Sequence, residues 1–313
     1  MSIYHYRLFD LPVASDIALE GLADAPIGSP ELVIARAMLH HAALDRERSD
    51  QFIVDGPDQY FYWRTVGMFR VSGVNRIEVD PLPDVPDRLI ALPLLGTVVA
   101  ALLVRRGLNV LHASAVSVNG QAVILLGHKG AGKSTTATTL VASGCQLVSD
   151  DVVAVRGESN GFLVLPAYGL VKLWEDSARQ LDPAGERRLW RLHQAVDKAH
   201  YQLGGNLATA PLPVARLYLL ERGSESGVVN MPASQALPAA LEHAYMARFG
   251  VDGFAGTLPQ HFAMLGELAG AGLIRRLTVP DDLTRLDEIP SLVRHDLHDH
   301  VDRQAAAQVS QYG

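Results

Sequence analysis

The sequence predicts an α/β protein with a phosphate-loop core, a mostly β N-terminal domain and a helical C-terminal segment. Three observations predict this. Short strand-like runs separated by turn residues fill most of the first hundred positions. A glycine-rich loop at 127–134 stands between a strand-forming run and a helix-forming run. Beyond Gly223-Ser224-Glu225-Ser226-Gly227 the chain turns to helix-forming stretches. The expected divisions are 1–107 for an accessory or subunit-contact domain, 108–225 for the core and 226–313 for the helical segment. A chain of 313 residues, 48% hydrophobic, can bury at least one sizeable core, and its length argues for roughly two domains.

Composition excludes several function classes. Lys and Arg number 27 against 34 Asp and Glu, a formal net charge of −7. No nucleic-acid partner is expected, because backbone binding needs a cationic face. The single cysteine, Cys145, cannot close an internal disulfide or build a multi-cysteine zinc site. It reads as a small buried residue in a strand. The opening MSIYHYRLFDLP lacks the basic and apolar regions of a secretion signal, so a soluble cytoplasmic protein is expected. Twelve histidines make the net charge sensitive to pH between about 7 and 6.

Along the chain, Ser29 is placed to cap a helix beginning at Pro30 and running through ELVIARAMLHHAAL. QFIVDG, QYFYWRTV and GMFRVSGVNRIEVD read as strands, with turns at Asp55-Gly56 and Ser72-Gly73. The cluster Tyr60-Phe61-Tyr62-Trp63 reads as a strand packed on both faces. PLPDVP, from Pro81 to Pro86, is a stiff connection into the uncharged run Leu89–Val104. That run is too short for a membrane span, which needs about 20 apolar residues, and it contains Pro93 and Gly96. A buried helix is expected, with no membrane partner. The apolar and aromatic N-terminal part makes a homo-oligomer plausible. In the C-terminal segment, ALPAALEHAYMARF and LPQHFAMLGELAGAGL read as helices and IRRLTV as a strand. The tail Arg294–Arg303, with His295, His298 and His300, reads as a solvated terminal helix.

The informative segment is AVILLGHKGAGKSTTATTL. Gly127, His128, Lys129, Gly130, Ala131, Gly132, Lys133 and Ser134 fit G-x-x-x-x-G-K-[ST] at every fixed position, and Thr135 continues into the helix. Glycines let the backbone wrap phosphate oxygens closely with its N–H groups inward. The next helix adds the positive end of its dipole. Lys133 would reach the β- and γ-phosphates and Ser134 would ligate Mg²⁺. The pattern implies nucleoside triphosphate binding.

The flanks add a constellation. LHASAVSVNGQAVILLG is two strand-like runs joined by Asn119-Gly120, the strongest two-residue hairpin signal. If Val118 pairs with Gln121, counting outward brings His112 opposite Gly127, where an imidazole can steer a proton or a carboxylate. Downstream, Gly144 is placed to stop the phosphate-loop helix. Cys145–Val148 then reads as a strand ending at Ser149-Asp150-Asp151. A right-handed crossover parallel to Ala122–Leu126 would bring this acidic pair to the loop. One carboxylate suits a metal and the other suits a proton. Glu175 is a further metal candidate, and Lys198 and Arg216 are candidate partners for phosphate charge.

Together these residues resemble the catalytic domain of the bacterial HPr kinase/phosphorylase family. That domain has a histidine before the loop, then G-x-x-G-x-G-K-S, then an Asp-Asp pair ending the next strand. His112 lies 21 positions before Lys133 and Asp151 lies 18 after it, spacings that match. The resemblance runs from about Leu111 to Asp151. It implies a P-loop core of the HPr kinase C-terminal-domain type, with Asp151 as proton acceptor, His112 and Lys133 as its catalytic companions, and Ser134 on Mg²⁺. The family's later L-E-x-R-G-x-G signature is absent after Pro166, where this chain reads AYGLVKLWEDS. LHASAV, LVSDDVV and the KLW stretch look more like the HPr-kinase-like proteins of peptide biosynthetic clusters. Among these, the lasso peptide kinases phosphorylate the C-terminal serine of a ribosomally made precursor.

The resulting expectation is a Mg²⁺-dependent serine kinase. It would move the γ-phosphoryl group of ATP to a peptide, with Ser134, Asp150 and Glu175 around the metal. Two alternatives stand beside it. One is an HPr kinase/phosphorylase-type regulator of a carrier protein, and the other is a nucleotide-driven switch with slow ATPase activity.

Overall fold

β-Branched and aromatic residues alternating with polar ones shape the first eighty residues into one eight-stranded sheet. In spatial order its strands are Ala23–Asp24, Tyr4–Leu8, Leu11–Ser15, Leu32–Arg36, Arg76–Pro81, Gly67–Ser72, Asp58–Trp63 and Gln51–Asp55. The last four form an antiparallel meander whose turns fall where Asp55-Gly56 and Ser72-Gly73 predict. Phe61 faces the main core of this region while Tyr60 and Tyr62 face a smaller cluster with Leu39 and Met68. The aromatic strand is therefore packed on both faces. This computed structural model describes residues 2–48, 50–159, 161–181, 188–193, 196–202, 206–245 and 258–298.

The helix expected from Pro30 does not form. Leu32–Arg36 is a strand in the middle of the sheet, paired in parallel with Leu11–Ser15 and Arg76–Pro81. Leu32 and Ile34 face the core at 1% exposure each, the period-2 pattern of a strand. Pairing on both sides outweighs the local helical spacing of the apolar residues.

The uncharged run becomes a 19-residue helix, Asp87–Arg105. It is α-helical through Pro93, widens to a π turn over Leu94–Val98 and returns to α over Val99–Arg105. It is long and apolar enough to cross a membrane, but it lies mostly buried in the protein. Ile90, Leu94, Val98 and Leu102 are fully buried. They share one cluster with Phe69, Val71 and Val79 of the N-terminal sheet and with Val110, Val152 and Leu165 beyond residue 107.

A nine-stranded sheet forms the second half. Gln146–Asp150, Ser114–Val118, Gln121–Leu126 and Leu212–Gly223 lie side by side. The sheet then continues through Gly161–Leu165, Val153–Glu158 and Asn109–Leu111. Alternate residues of the hairpin enter two layers. Val116, Val118, Val123 and Leu125 meet Ala137 and Leu140 of the phosphate-loop helix Lys133–Ala142. Ala115, Ala122, Ile124 and Leu126 meet Ala236, Ala240 and Leu268 of helices Ala233–Glu242 and Leu258–Gly270. Burial on both faces explains the unbroken apolar run. The C-terminal segment is mostly helical and also supplies two strands. Ile274–Pro280 pairs in parallel with Leu212–Gly223, and Gly227–Asn230 pairs with it in turn.

The terminal helix over 288–298 is docked where solvation was expected. Ile289, Val293 and Leu297 enter the core, and Asp296 is buried among Arg216, Tyr218 and Arg275. His300 lies outside the described residues.

Candidate active site

The site is built at the ends of two strands running the same way. Asn119 and Gly120 take positive φ values of 51° and 78°, closing the tight hairpin that Asn-Gly encodes. Val118 faces Gln121, and the ladder runs outward to Ser114 and Leu125. Gln146–Asp150 is antiparallel to Ser114–Val118, so its direction matches Gln121–Leu126 with one strand between them. The expected shared direction holds, although the two strands are not neighbours. The phosphate loop and the acidic pair, each at the C-terminal end of its strand, therefore meet at the same edge of the sheet.

Gln121–Leu126 delivers the phosphate loop. A Cβ at Gly127 would stand 2.9 Å from the Ala131 Cβ, and Gly132 caps the helix in a left-handed conformation at φ 97°; both positions demand glycine. Lys133 Nζ donates to the carbonyls of Gly127 at 2.6 Å and His128 at 3.3 Å, folded over its own loop. Gln146–Asp150 delivers the acidic pair. Asp150 Oδ1 accepts from Ser114 Oγ at 2.5 Å and Ser134 Oγ at 3.0 Å, and Oδ2 accepts from the Lys172 amide at 3.1 Å. Asp151 comes next at φ 74°, a left-handed conformation that Asp tolerates better than most residues. Such strain clusters at functional sites.

The left-handed turn points the Asp151 carboxylate between His112 and Lys172. His112 Nδ1 lies 3.1 Å from Oδ1 and Lys172 Nζ lies 2.7 Å from Oδ2. Burial alone would raise the Asp151 pKa. The charge of Lys172, then hydrogen bonding and charge from His112, outweigh burial and hold it well below the usual carboxylate range. Burial works against the charge of Lys172 too, but Asp151 raises its pKa on balance.

The cleft over this edge is lined by His112, His128, Lys129, Gly130, Gly132, Lys133, Ser134, Thr135, Asp150 and Asp151, together with Lys172, Ser177 and Arg222. Gly127 and Ala131 belong to the loop without lining the cleft. Thr135 Oγ1 donates to Ser177 Oγ at 2.9 Å, joining the loop helix to the helix Glu175–Leu181 along the cleft. The His128 ring lies 5.3 Å from the buried ring of His243, tilted 59° to it, and 3.6 Å from Glu242. Burial first, then the nearby charges of His128, Lys133 and His112, push the His243 pKa down to about 4. His243 is thus neutral near pH 7.

One expectation is corrected. Arg216 lies far from phosphate duty: its side chain is fully buried, 3.2 Å from Asp296. Glu175 opens the helix Glu175–Leu181, two residues before Ser177, which lines the cleft. The Lys198 side chain lies outside the described part of the structure. Sequence reasoning missed Lys172, Ser177, Arg222 and His243. Lys172 left a signal, as the one charge in the strand LVKLW, Leu170–Trp174. With Val171 and Leu173 buried at 0% and 2%, alternation puts Lys172 on the opposite face.

Among the described residues no three His, Cys, Asp or Glu side chains converge on one point, so Mg²⁺ finds no all-protein cage there. A Mg²⁺ that keeps waters and phosphate oxygens needs only one or two protein oxygens. Ser134 Oγ and Asp150 Oδ1, already 3.0 Å apart, fit that requirement.

Residues 107–171 match the family described as the HPr Serine kinase C-terminal domain. This stretch spans the hairpin, the loop, the acidic pair and the strand up to Val171. The core resembles that of an HPr kinase. The HPr kinase/phosphorylase of Geobacillus sp. (strain WCH70) is 44% identical over 61 residues, 20% of each chain. That of Caldicellulosiruptor bescii is 43% identical over 61 residues, again 20% of each. The chain thus aligns with only a fifth of the length of these relatives. The HPr(Ser) kinase/phosphatase of Coxiella burnetii superposes with a TM-score of 0.35 and 14% identity, over 65% of this chain and 96% of that one. The matched stretch holds His112, the loop and the acidic pair. Lys172, Ser177 and Arg222 line the cleft from beyond it.

Proposed function

We propose that the protein is a Mg²⁺-dependent kinase that moves the γ-phosphoryl group of ATP to a serine hydroxyl of a peptide. A ribosomally made precursor of the lasso type, phosphorylated at its C-terminal serine, is the favoured acceptor. One observation carries the reading: Asp151, held ionised by Lys172 and His112, stands beside an Asp150 bonded to the Ser134 hydroxyl of a phosphate loop.

The loop amides and Lys133 hold the triphosphate, with Lys133 leaving its loop carbonyls for the phosphates. Ser134 and Asp150 would hold Mg²⁺, which would supply charge neutralisation for the triphosphate. Asp151 orients the acceptor hydroxyl and receives its proton. His112 and Lys172 keep Asp151 in place and ionised. A carboxylate of such low pKa is a weak base, which suits phosphoryl transfer, where positioning and charge stabilisation supply most of the catalysis. Lys172 and Arg222 add positive charge around the transferred group.

The names of the matched relatives favour a second reading, phosphorylation of a carrier protein. One experiment separates them. The protein is incubated with γ-labelled ATP, Mg²⁺, a serine-ending peptide and an HPr-type carrier, with Asp151→Asn as control. Asn matches the shape of Asp and accepts the left-handed backbone. Transfer is therefore expected to fall by at least about a hundredfold while nucleotide affinity stays within a few fold. Label on the peptide supports the peptide kinase and label on the carrier supports the second reading. Phosphate released only to water rejects both, in favour of a nucleotide switch.

A further inference from the structure

The strand Leu212–Gly223 runs parallel to Gln121–Leu126 and pairs Leu219 with Leu126, so its last residues stand beside the phosphate loop. Tyr218 and Leu220 enter the layer that holds the loop helix Lys133–Ala142. Alternation puts Arg222 on the same face, just past the end of the apolar core. There it lines the phosphate cleft. Its Nη1 lies 3.9 Å from the point that a Cβ on Gly132, the last glycine of the loop, would occupy.

Arg222 is clamped in that position. Nε donates to Asp281 Oδ1 at 3.1 Å and Nη2 donates to the Asp281 carbonyl at 2.8 Å. The Asp281 amide donates to the Gly223 carbonyl at 3.0 Å, tying the ends of two paired strands together. No described residue bonds Nη1. The ion pair is exposed, at 35% and 66%, and such pairs contribute little to stability. What the clamp fixes is the direction of a planar, permanently charged guanidinium. Lys129, Lys133 and the start of the loop helix already gather positive charge in this cleft. Adding a fixed guanidinium there is unfavourable until an anion enters between them.

The sheet order puts the acidic pair and Arg222 on opposite flanks of the loop. Gln146–Asp150 lies two strands from Gln121–Leu126 on one side, and Leu212–Gly223 is its neighbour on the other. In-line transfer sets the attacking and leaving oxygens on opposite sides of the γ-phosphorus. Resting on the kinase reading above, we propose that Arg222 is a catalytic residue on the leaving-group side, with Asp281 as its positioning residue. The group it takes is the β-phosphate of the nucleotide, with the oxygen that bridges it to the γ-phosphorus. The serine oxygen bonds to the γ-phosphorus, its proton passes to Asp151 and the bond to the bridging oxygen breaks. The electron pair stays with ADP on that oxygen, and Arg222 Nη1 donates to it as its charge grows.

The test uses the full chain with Mg²⁺-ATP and a serine-ending peptide, beside an HPr-type carrier. Transfer is read by mass, AMP and ADP affinity by displacement of a fluorescent nucleotide, and folding by Tm. Arg222→Ala is expected to lower kcat at least about a hundredfold. Its ADP affinity falls about tenfold, while AMP affinity and Tm stay at their wild-type values. Millimolar guanidinium restores part of the lost kcat in this variant and none in Asp151→Asn. Asp281→Asn keeps the guanidinium but loosens its hold, so kcat falls between wild type and Arg222→Ala with the ATP KM and Tm unchanged. An Arg222→Ala kcat near wild type, or an equal loss of AMP and ADP affinity, overturns the role of Arg222. A wild-type kcat in Asp281→Asn overturns the positioning role alone. Wild-type transfer to neither acceptor rejects the kinase reading, and the comparison of ADP with AMP then decides by itself whether Arg222 meets the β-phosphate.

Discussion

Asp151 owes its character to neighbours that arrive from distant parts of the chain. Burial pushes its carboxyl toward the neutral form, and Lys172 and His112 reverse that push. Replacing Lys172 with Met removes the charge that most opposes burial while keeping most of the side-chain volume. The Asp151 pKa then rises. Asp151 must be ionised to act, so a higher pKa means protonation, and loss of activity, at higher pH. The acid limb of the kcat profile of Lys172→Met should therefore lie at least about one unit above that of wild type. An unshifted acid limb, with only a lower plateau, would assign Lys172 to phosphate contact alone. His112 was legible because it lies on the hairpin beside the loop, and the acidic pair because it ends the next strand. Lys172 was not, because remote contacts bring its strand over the cleft: Val171 and Leu173 pack with Ala137 and Leu140 of the phosphate-loop helix, and Asp150 holds the Lys172 amide.

At the scale of elements, the hairpin 114–126 is the ruler of the site. Its Asn-Gly turn fixes the register, and the register fixes how far His112 stands from the loop. The turn also constrains which residues it accepts. Gly120 has φ 78° and open space around a would-be Cβ, so Gly120→Ala costs conformational energy alone. A destabilisation of about 1–2 kcal/mol is expected, read as a lower denaturant midpoint with an unchanged m-value, while nucleotide affinity is retained. The strand at Leu32–Arg36 is the opposite case. Its helical spacing is a local property, but two parallel partners, one of them more than forty positions away at Arg76–Pro81, decide its form. The sequence marks elements whose form is set nearby and hides those set by remote pairing. Arg216 shows the same blindness, since its partner Asp296 comes from the terminal helix eighty residues on.

Across the whole molecule, the apolar helix Asp87–Arg105 ties the N-terminal sheet to the HPr kinase-like core. Its buried face belongs to one cluster that contains Val71 and Val79 on one side and Val110, Val152 and Leu165 on the other. It also places Gly96 against Asp151. Such continuity has an energetic consequence, because neither half can unfold without exposing apolar surface of the other. Leu94 is fully buried at the centre of this cluster. Leu94→Ala removes its buried methyl groups and leaves a cavity, a change that costs about 2–5 kcal/mol. The loss should appear in both halves together. With Trp174 and Trp190 replaced by Phe, thermal unfolding followed by Trp63 fluorescence in the N-terminal sheet, and by release of a bound fluorescent nucleotide from the core, should give one coincident transition. In Leu94→Ala both signals should move down by the same amount. A lowered Trp63 transition with nucleotide release unmoved would mean that the two halves melt independently, leaving the helix a cover on the N-terminal sheet and no beam between the sheet and the active site.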